Sequence, residues 1–244
     1  MIYPLVLLHG YGEDQKVWDS VKAAFWPDEH VVTPSYASRS DFRSIEEYGE
    51  YVYRELKGMG IDKAILIGHS MGGYIALAMA DLHPEFVAGL GLFHSTAFAD
   101  TEERKEMRLK NVAFLENHGP QAFMENFVKN LYAESFAKEH AGLLAEHVAH
   151  SSQFPLPALT AGMKAMRIRP DRRAVLEKAP YPVLFIIGLQ DKAVSPDDAR
   201  AQVNLPAHSQ ELILPGVGHM GMVEAAEKCI DAIQEYWRRI NSAG

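Results

Sequence analysis

The chain has 244 residues, 48% hydrophobic and 23% charged, which excludes a disordered polymer and suits one soluble core carrying an insertion. Its 24 basic and 32 acidic residues give a formal net charge of −8 with no Lys/Arg block, so the footprint of a phosphate backbone is missing and nucleic acid is not an expected partner. Cys229 stands alone, excluding an intrachain disulfide or Cys-based zinc site, and no apolar run reaches the ~18 residues of a membrane span. The start, Ile2 to Leu8, lacks the basic residues and length of a signal peptide, so a cytoplasmic location is expected.

In chain order, short runs rich in Val, Ile, Leu and Phe predict strands at Tyr3–Leu8, His30–Thr33, Ala64–Ile67, Val87–Phe93, Val183–Ile187 and Glu211–Leu214. Continuous apolar runs of this kind suit strands covered on both faces of a parallel sheet. Helical spacing fills the intervals at Lys16–Phe25, Ile45–Lys57, Met71–Leu82, Pro196–Val203 and Val223–Ile240. The alternation predicts an α/β fold with a doubly wound, mostly parallel six-stranded sheet. From Ser95 to Arg169 no strand is evident, only helical segments near Glu102–Asn117, Gln121–Tyr132, Ser135–Ser151 and Pro157–Met166. Residues 1–94 and 170–244 are therefore expected to form the core. Residues 95–169 are expected to form a helical lid inserted after the fourth strand, with Arg167, Arg169, Pro170, Arg172 and Arg173 marking its return.

The most specific motif is Gly68-His69-Ser70-Met71-Gly72-Gly73, directly after one strand and directly before a helix. A sharp strand-to-helix turn needs small flanking residues and leaves the central hydroxyl projecting above the sheet. A serine is a weak nucleophile at neutral pH, so it needs a base, and the base needs a partner that fixes its tautomer. Asp191, after the fifth strand, and His219, in the glycine-rich loop after the sixth, lie on the same sheet edge as Ser70. Asp197 and Asp198 compete with Asp191, but they follow Ser195-Pro196 and fit a helix start. Gly216 to Gly221 matches a dinucleotide-binding spacing, yet no strand bearing an acidic ribose partner follows it. His147 and His150 share a helical stretch without a further ligand set, so no metal is expected.

An oxyanion needs two donors. The backbone N–H of Met71 supplies one, and Tyr11, in His9-Gly10-Tyr11-Gly12 after the first strand, supplies the other if the strand order is 2-1-3-4-5-6. His9, Gly10, His69 and His94 lie beside this centre and are expected to contact substrate, although a local packing role explains His9-Gly10 equally. Arg39 is either a partner for an acidic substrate group or an exposed loop residue.

Taken together, Leu8-His9-Gly10-Tyr11-Gly12, the motif around Ser70, Gly188-Leu189-Gln190-Asp191 and Gly218-His219 resemble the α/β-hydrolase superfamily, in its small lidded esterase and C–C hydrolase branch. The resemblance implies a Ser70–His219–Asp191 triad, a lid after the fourth strand and catalysis without a cofactor. The chain departs from the family pattern in beginning at the His-Gly strand, so a trimmed sheet of six strands is expected. The expected substrate is a small, largely apolar ester or thioester. C–C bond hydrolysis, a lyase-like reaction and a slow-turnover receptor use the same residues and stay open.

Overall fold

The computed structural model describes residues 2–25 and 30–242. Six strands, β1 (Leu5–Leu8), β2 (Val31–Val32), β3 (Ala64–His69), β4 (Val87–Phe93), β5 (Val183–Gly188) and β6 (Ser209–Leu214), form one sheet in the order β2-β1-β3-β4-β5-β6. Every pairing is parallel. The four inner strands are buried at every residue, which is why they read as unbroken apolar runs, while the outermost β6 alternates in exposure. Because the strands are parallel, their carboxyl ends share an edge: Leu8 pairs with Gly68, His69 with Phe93, and Gly188 with Leu214.

Helices α1 (Asp19–Ala24), α2 (Ile45–Gly58) and α3 (Met71–Leu82) cross between the first strands. Ser44 caps α2 by accepting the Glu47 N–H, and the buried Ile45, Tyr48, Gly49, Val52 and Leu56 give it one apolar stripe. The third helix is buried almost all round because it lies between α2 and the sheet. Its first turn touches the end of β1: a Cβ at Gly72 would lie 2.3 Å from the Leu8 carbonyl oxygen and 2.7 Å from that of His9.

Between β4 and β5 the chain inserts α4 (Glu102–Lys129), α5 (Glu134–Glu139), α6 (Ala141–Ser151) and α7 (Leu156–Ile168), followed by the short α8 (Arg173–Glu177). The expected break near residue 120 appears as a kink within α4 at Gly119 (φ 80°), before Pro120. The single helix expected over Ser135–Ser151 is two, parted at His140, whose φ/ψ of −122°/40° is not helical. Its ring Nδ1 bonds the Phe136 carbonyl at 3.0 Å, closing the last turn of α5. Both ends of the insertion meet in a buried ion cluster, where Asp100 pairs with Arg169 Nη1 at 2.8 Å and with Arg108.

After β5 come α9 (Pro196–Ala201), then β6, α10 (Gly221–Glu224) and α11 (Ala226–Ser242). The last two replace the single helix expected over Val223–Ile240. The chain breaks at Ala225 (φ −144°), where the preceding Glu224 turns back to accept amides from residues 218 and 220. Along α11 a stripe of Cys229, Ala232, Ile233, Tyr236 and Ile240 packs inward, and the Tyr236 hydroxyl donates to the Leu90 and Pro182 carbonyls. No helix among the described residues is long and apolar enough to cross a membrane.

Gly72→Ala is expected to lower the unfolding free energy by about 3 kcal/mol or more, since its methyl group would collide with backbone that cannot yield. Denaturant unfolding with the wild type as reference checks this.

Candidate active site

The turn between β3 and α3 holds Ser70 at φ 52° and ψ −115°, a left-handed conformation that side chains other than glycine rarely adopt. Such a conformation costs of order 1–3 kcal/mol and persists only where neighbours enforce it. Here the Ser70 N–H donates to the Phe93 carbonyl at 2.9 Å, and its own carbonyl accepts from Ser95 Oγ at 2.8 Å. A Cβ at Gly68 would sit 2.2 Å from the Gly72 backbone, so the tight turn requires glycine there.

His219 is buried in the loop after β6, and its Nδ1 lies 2.7 Å from Asp191 Oδ2. The other Asp191 oxygen accepts the Ala193 and Val194 amides at 2.8 and 2.9 Å. Burial alone would raise the Asp191 pKa, but the charges and hydrogen bonds of His219 and, less strongly, His94 outweigh it and hold the carboxyl far below the ordinary range. An ionised carboxylate only accepts, so Nδ1 of His219 carries a proton, and Nε2 is the ring nitrogen not engaged by Asp191. Ser70 and His219 line one cavity of about 630 Å³ between the sheet edge and the helical insertion. Its other walls include Tyr11 and Tyr74 from the core and Phe123, Phe127, Met163 and Met166 from the insertion.

The Tyr11 turn and the first turn of α3 are neighbours through the contact between Gly72 and the end of β1. Neither the Tyr11 nor the Met71 N–H donates a described backbone hydrogen bond within the protein.

The four residues expected to touch substrate do not line the cavity; His9, His69 and His94 are buried behind it. His9 stacks on Tyr36 with ring centroids 3.8 Å apart, and burial lowers its pKa to about 4. In the neutral ring Nδ1 donates to the Gly10 carbonyl and Nε2 accepts the Tyr36 amide. Gly10 donates its N–H to Glu13. His94, at φ 46°, is also neutral, its pKa lowered by burial to about 4. Its Nε2 faces the Gly221 amide and its Nδ1 the Gly188 amide, each at 3.2 Å, while Asp191 Oδ2 lies 3.4 Å from Nδ1. His69 differs, since both nitrogens meet acceptors: Glu13 Oε2 at 2.9 Å and the His219 carbonyl at 2.9 Å. Burial lowers the His69 pKa, but the Glu13 charge and both hydrogen bonds more than reverse this, while Glu13, also buried, is held at about 2.

Glu13 and Glu224 are the residues that sequence reasoning missed. Glu224 accepts the Gly218, Met220 and Ala133 amides, so it fixes both sides of the His219 loop. Arg39 pairs with Asp41 at 2.6 Å and lies over the Phe42 and Tyr51 rings, outside the cavity lining. The Ser195 hydroxyl accepts the Asp198 N–H as the cap of α9. His147 bonds the Tyr132 hydroxyl and His150 bonds Asp14, so the two rings face separate partners. Among the described residues, His94, Asp191 and His219 bring potential metal ligands within 4.8 Å of one another. Their mutual hydrogen bonds account for that grouping.

A strained serine and a histidine oriented by a buried carboxylate thus share one cavity at the carboxyl edge of a parallel sheet. The sequence profile described as the Alpha/beta hydrolase family matches residues 5–232, and the chain belongs to that family. It is 30% identical over 250 residues to the pimeloyl-(acyl-carrier protein) methyl ester esterase of Yersinia enterocolitica, across 98% of this chain and 94% of that one. It is 24% identical to the 2-hydroxy-6-oxo-6-(2'-aminophenyl)hexa-2,4-dienoic acid hydrolase of Metapseudomonas resinovorans, across 97% and 84% of the two chains. A thermophilic esterase from Thermogutta terrifontis, with malate bound, superposes with a TM-score of 0.91 at 25% identity, covering 98% of this chain and 90% of that one.

Glu13→Gln is expected to cost about 3–5 kcal/mol, because it leaves a buried histidine without its counter-charge. The pair contributes fully only while both partners are charged. Its stabilisation falls as pH drops from the ordinary glutamate value of 4.5 toward 2, and as pH rises from 6.5 through the raised pKa of His69. Thermal unfolding of wild type and variant across this range should show a difference that is largest between pH 4.5 and 6.5.

Proposed function

We propose that the protein is a serine hydrolase that cleaves a small carboxylic ester or thioester through an acyl-enzyme. The observation that carries this reading is the 2.7 Å bond from His219 Nδ1 to an ionised Asp191, which orients the ring and leaves Nε2 as the nitrogen for proton exchange in a histidine that shares a cavity with Ser70. In the first step His219 Nε2 takes the Ser70 proton as Oγ bonds to the substrate carbonyl carbon. The Tyr11 and Met71 N–H groups hold the resulting oxyanion. The tetrahedral centre collapses, its bond to the leaving oxygen or sulfur breaks, and His219 passes the proton to that atom. Water then adds to the acyl carbon by the same route and releases the acid and the free serine. Asp191 stays ionised throughout and stabilises the imidazolium that forms twice per turnover.

Residues 95–169 serve as the lid over a core of residues 1–94 and 170–244, and the Phe and Met side chains they contribute give the substrate site its apolar character. Desolvation under such a roof strengthens the charge interactions that the mechanism uses. His9, His69 and His94 act as positioning residues for the loops that carry Tyr11, His219 and Asp191.

The reading is tested with a fluorophosphonate and with nitrophenyl esters of graded acyl length. Folded wild type should be labelled at Ser70, and Ser70→Ala should lose label and lower kcat by roughly 10⁴ to 10⁶. A loss below tenfold, or labelling elsewhere, rejects it. Analysis of the products separates ester cleavage from cleavage of a carbon–carbon bond.

A further inference from the structure

The chain as a whole is acidic, but its cavity is not. Arg104, Arg108, Lys110 and Lys192 line it, and no carboxylate among the described residues does, against a net charge of −8 for the protein. Three of these cations lack a buried counter-ion that defines a subsite; Arg104, for one, donates to the Ala193 carbonyl. Arg108 is different. It projects from α4 into the cavity wall with a side chain only 15% exposed.

Charge in this region is not balanced. Asp100 is fully buried and is paired with both Arg108 and the buried Arg169, so one carboxylate faces two guanidiniums. No second carboxylate pairs with either arginine among the described residues. Arg169 spends its remaining interactions on the Met166 and Phe98 carbonyls and on the face of Tyr74, 4.0 Å away. Arg108 places Nε and Nη2 on Asp100. Its Nη1 finds only the thioether sulfurs of Met163 and Met166, at 3.6 and 3.4 Å, and these are weak acceptors. The Tyr11 hydroxyl, within electrostatic reach of Arg108, is buried in the same wall and has no hydrogen-bond partner. A buried guanidinium edge and a buried phenol that both lack an acceptor are each costly unless a ligand supplies one. A neutral acceptor would satisfy the hydrogen bonds, but only an anion also balances the second arginine.

We propose that Arg108 and the Tyr11 hydroxyl form a carboxylate-binding subsite in the cavity shared by Ser70 and His219, so that the preferred substrate is an ester with a free carboxylate elsewhere in the molecule. This rests on the serine hydrolase reading above and narrows its substrate class. The apolar side chains of Phe123, Phe127, Met163 and Met166 accommodate the hydrocarbon between the two ends. The monoester of an aliphatic dicarboxylic acid is the simplest molecule with this pattern.

The test compares monomethyl with dimethyl esters of glutaric and adipic acids by pH-stat, since each pair shares its diacid chain and differs at one end, a carboxylate in place of a neutral methyl ester. Wild type should favour the monoester. The ratio of kcat/KM for monoester over diester should fall about 10- to 100-fold in Arg108→Met and by a smaller factor in Tyr11→Phe, as expected for losing a charge-assisted and a neutral hydrogen bond. Arg108→Met leaves Asp100 paired with Arg169, and Tyr11→Phe removes one oxygen, so at least one variant remains folded and informative. Lys192→Gln reports the general field of the cavity mouth and should change the ratio less than twofold. A wild type indifferent to the charge overturns the proposal, as does an unchanged ratio in both subsite variants, or a Lys192→Gln effect equal to that of Arg108→Met. Calorimetric titration of glutarate into Ser70→Ala, with and without Arg108→Met, reads the subsite without turnover. Binding that Arg108→Met abolishes supports the subsite even if neither ester is hydrolysed, an outcome that would instead reject the serine hydrolase reading.

Discussion

The approach of α3 to the end of β1 governs much of the molecule. With hydrogen in place of a side chain at Gly72, the helix can start within van der Waals reach of the Leu8 and His9 carbonyls. That proximity forces β3 to turn into α3 within a single residue, and Ser70 takes up the strain at φ 52°. Every neighbouring loop is then referenced to this turn. Ser95 holds the Ser70 carbonyl, Phe93 accepts its amide, and His69 reaches across to the carbonyl of His219.

Buried charge does a second kind of organising. Asp191, Glu13 and Asp100 are all nearly inaccessible, and each is kept ionised by a cation or by several donors. Asp191 orients an imidazole, Glu13 keeps His69 protonated and so able to donate from both nitrogens, and Asp100 draws two arginines to the base of the insertion. Removing one member of such a group leaves the rest unpaired in a low-dielectric interior, which costs more than the pair itself contributes. The polar interior therefore specifies geometry more than it adds stability.

The parallel sheet was legible because inner strands are covered on both faces, so Ala64–Ile67 and Val183–Ile187 carry no polar interruption. The Ser70 turn and the loops of Asp191 and His219 were legible because each follows a strand on the same edge. Histidines 9, 69 and 94 were placed beside the centre by sequence, but the direction of their rings was not. A ring that points at a carbonyl and one that points into a cavity have the same letters around them. Glu13 and Glu224 were invisible for a related reason, since no spacing rule pairs residue 13 with residue 69 or residue 224 with the amides of 133 and 218. The breaks at His140 and Ala225 were not legible because both residues lie inside runs with good helical periodicity, and side-chain hydrogen bonds of His140 and Glu224 to backbone accompany the breaks.

The ion cluster of Asp100, Arg108 and Arg169 ties the entry and exit of the insertion to one point. A segment whose two ends are pinned together can change its length at a cost that grows only with the logarithm of the number of residues. The insertion is in that sense a cassette: its helices can be lengthened, shortened or exchanged while the sheet edge stays in register. Divergence among relatives then requires no change in the strand-end loops, only a different ceiling over the same floor.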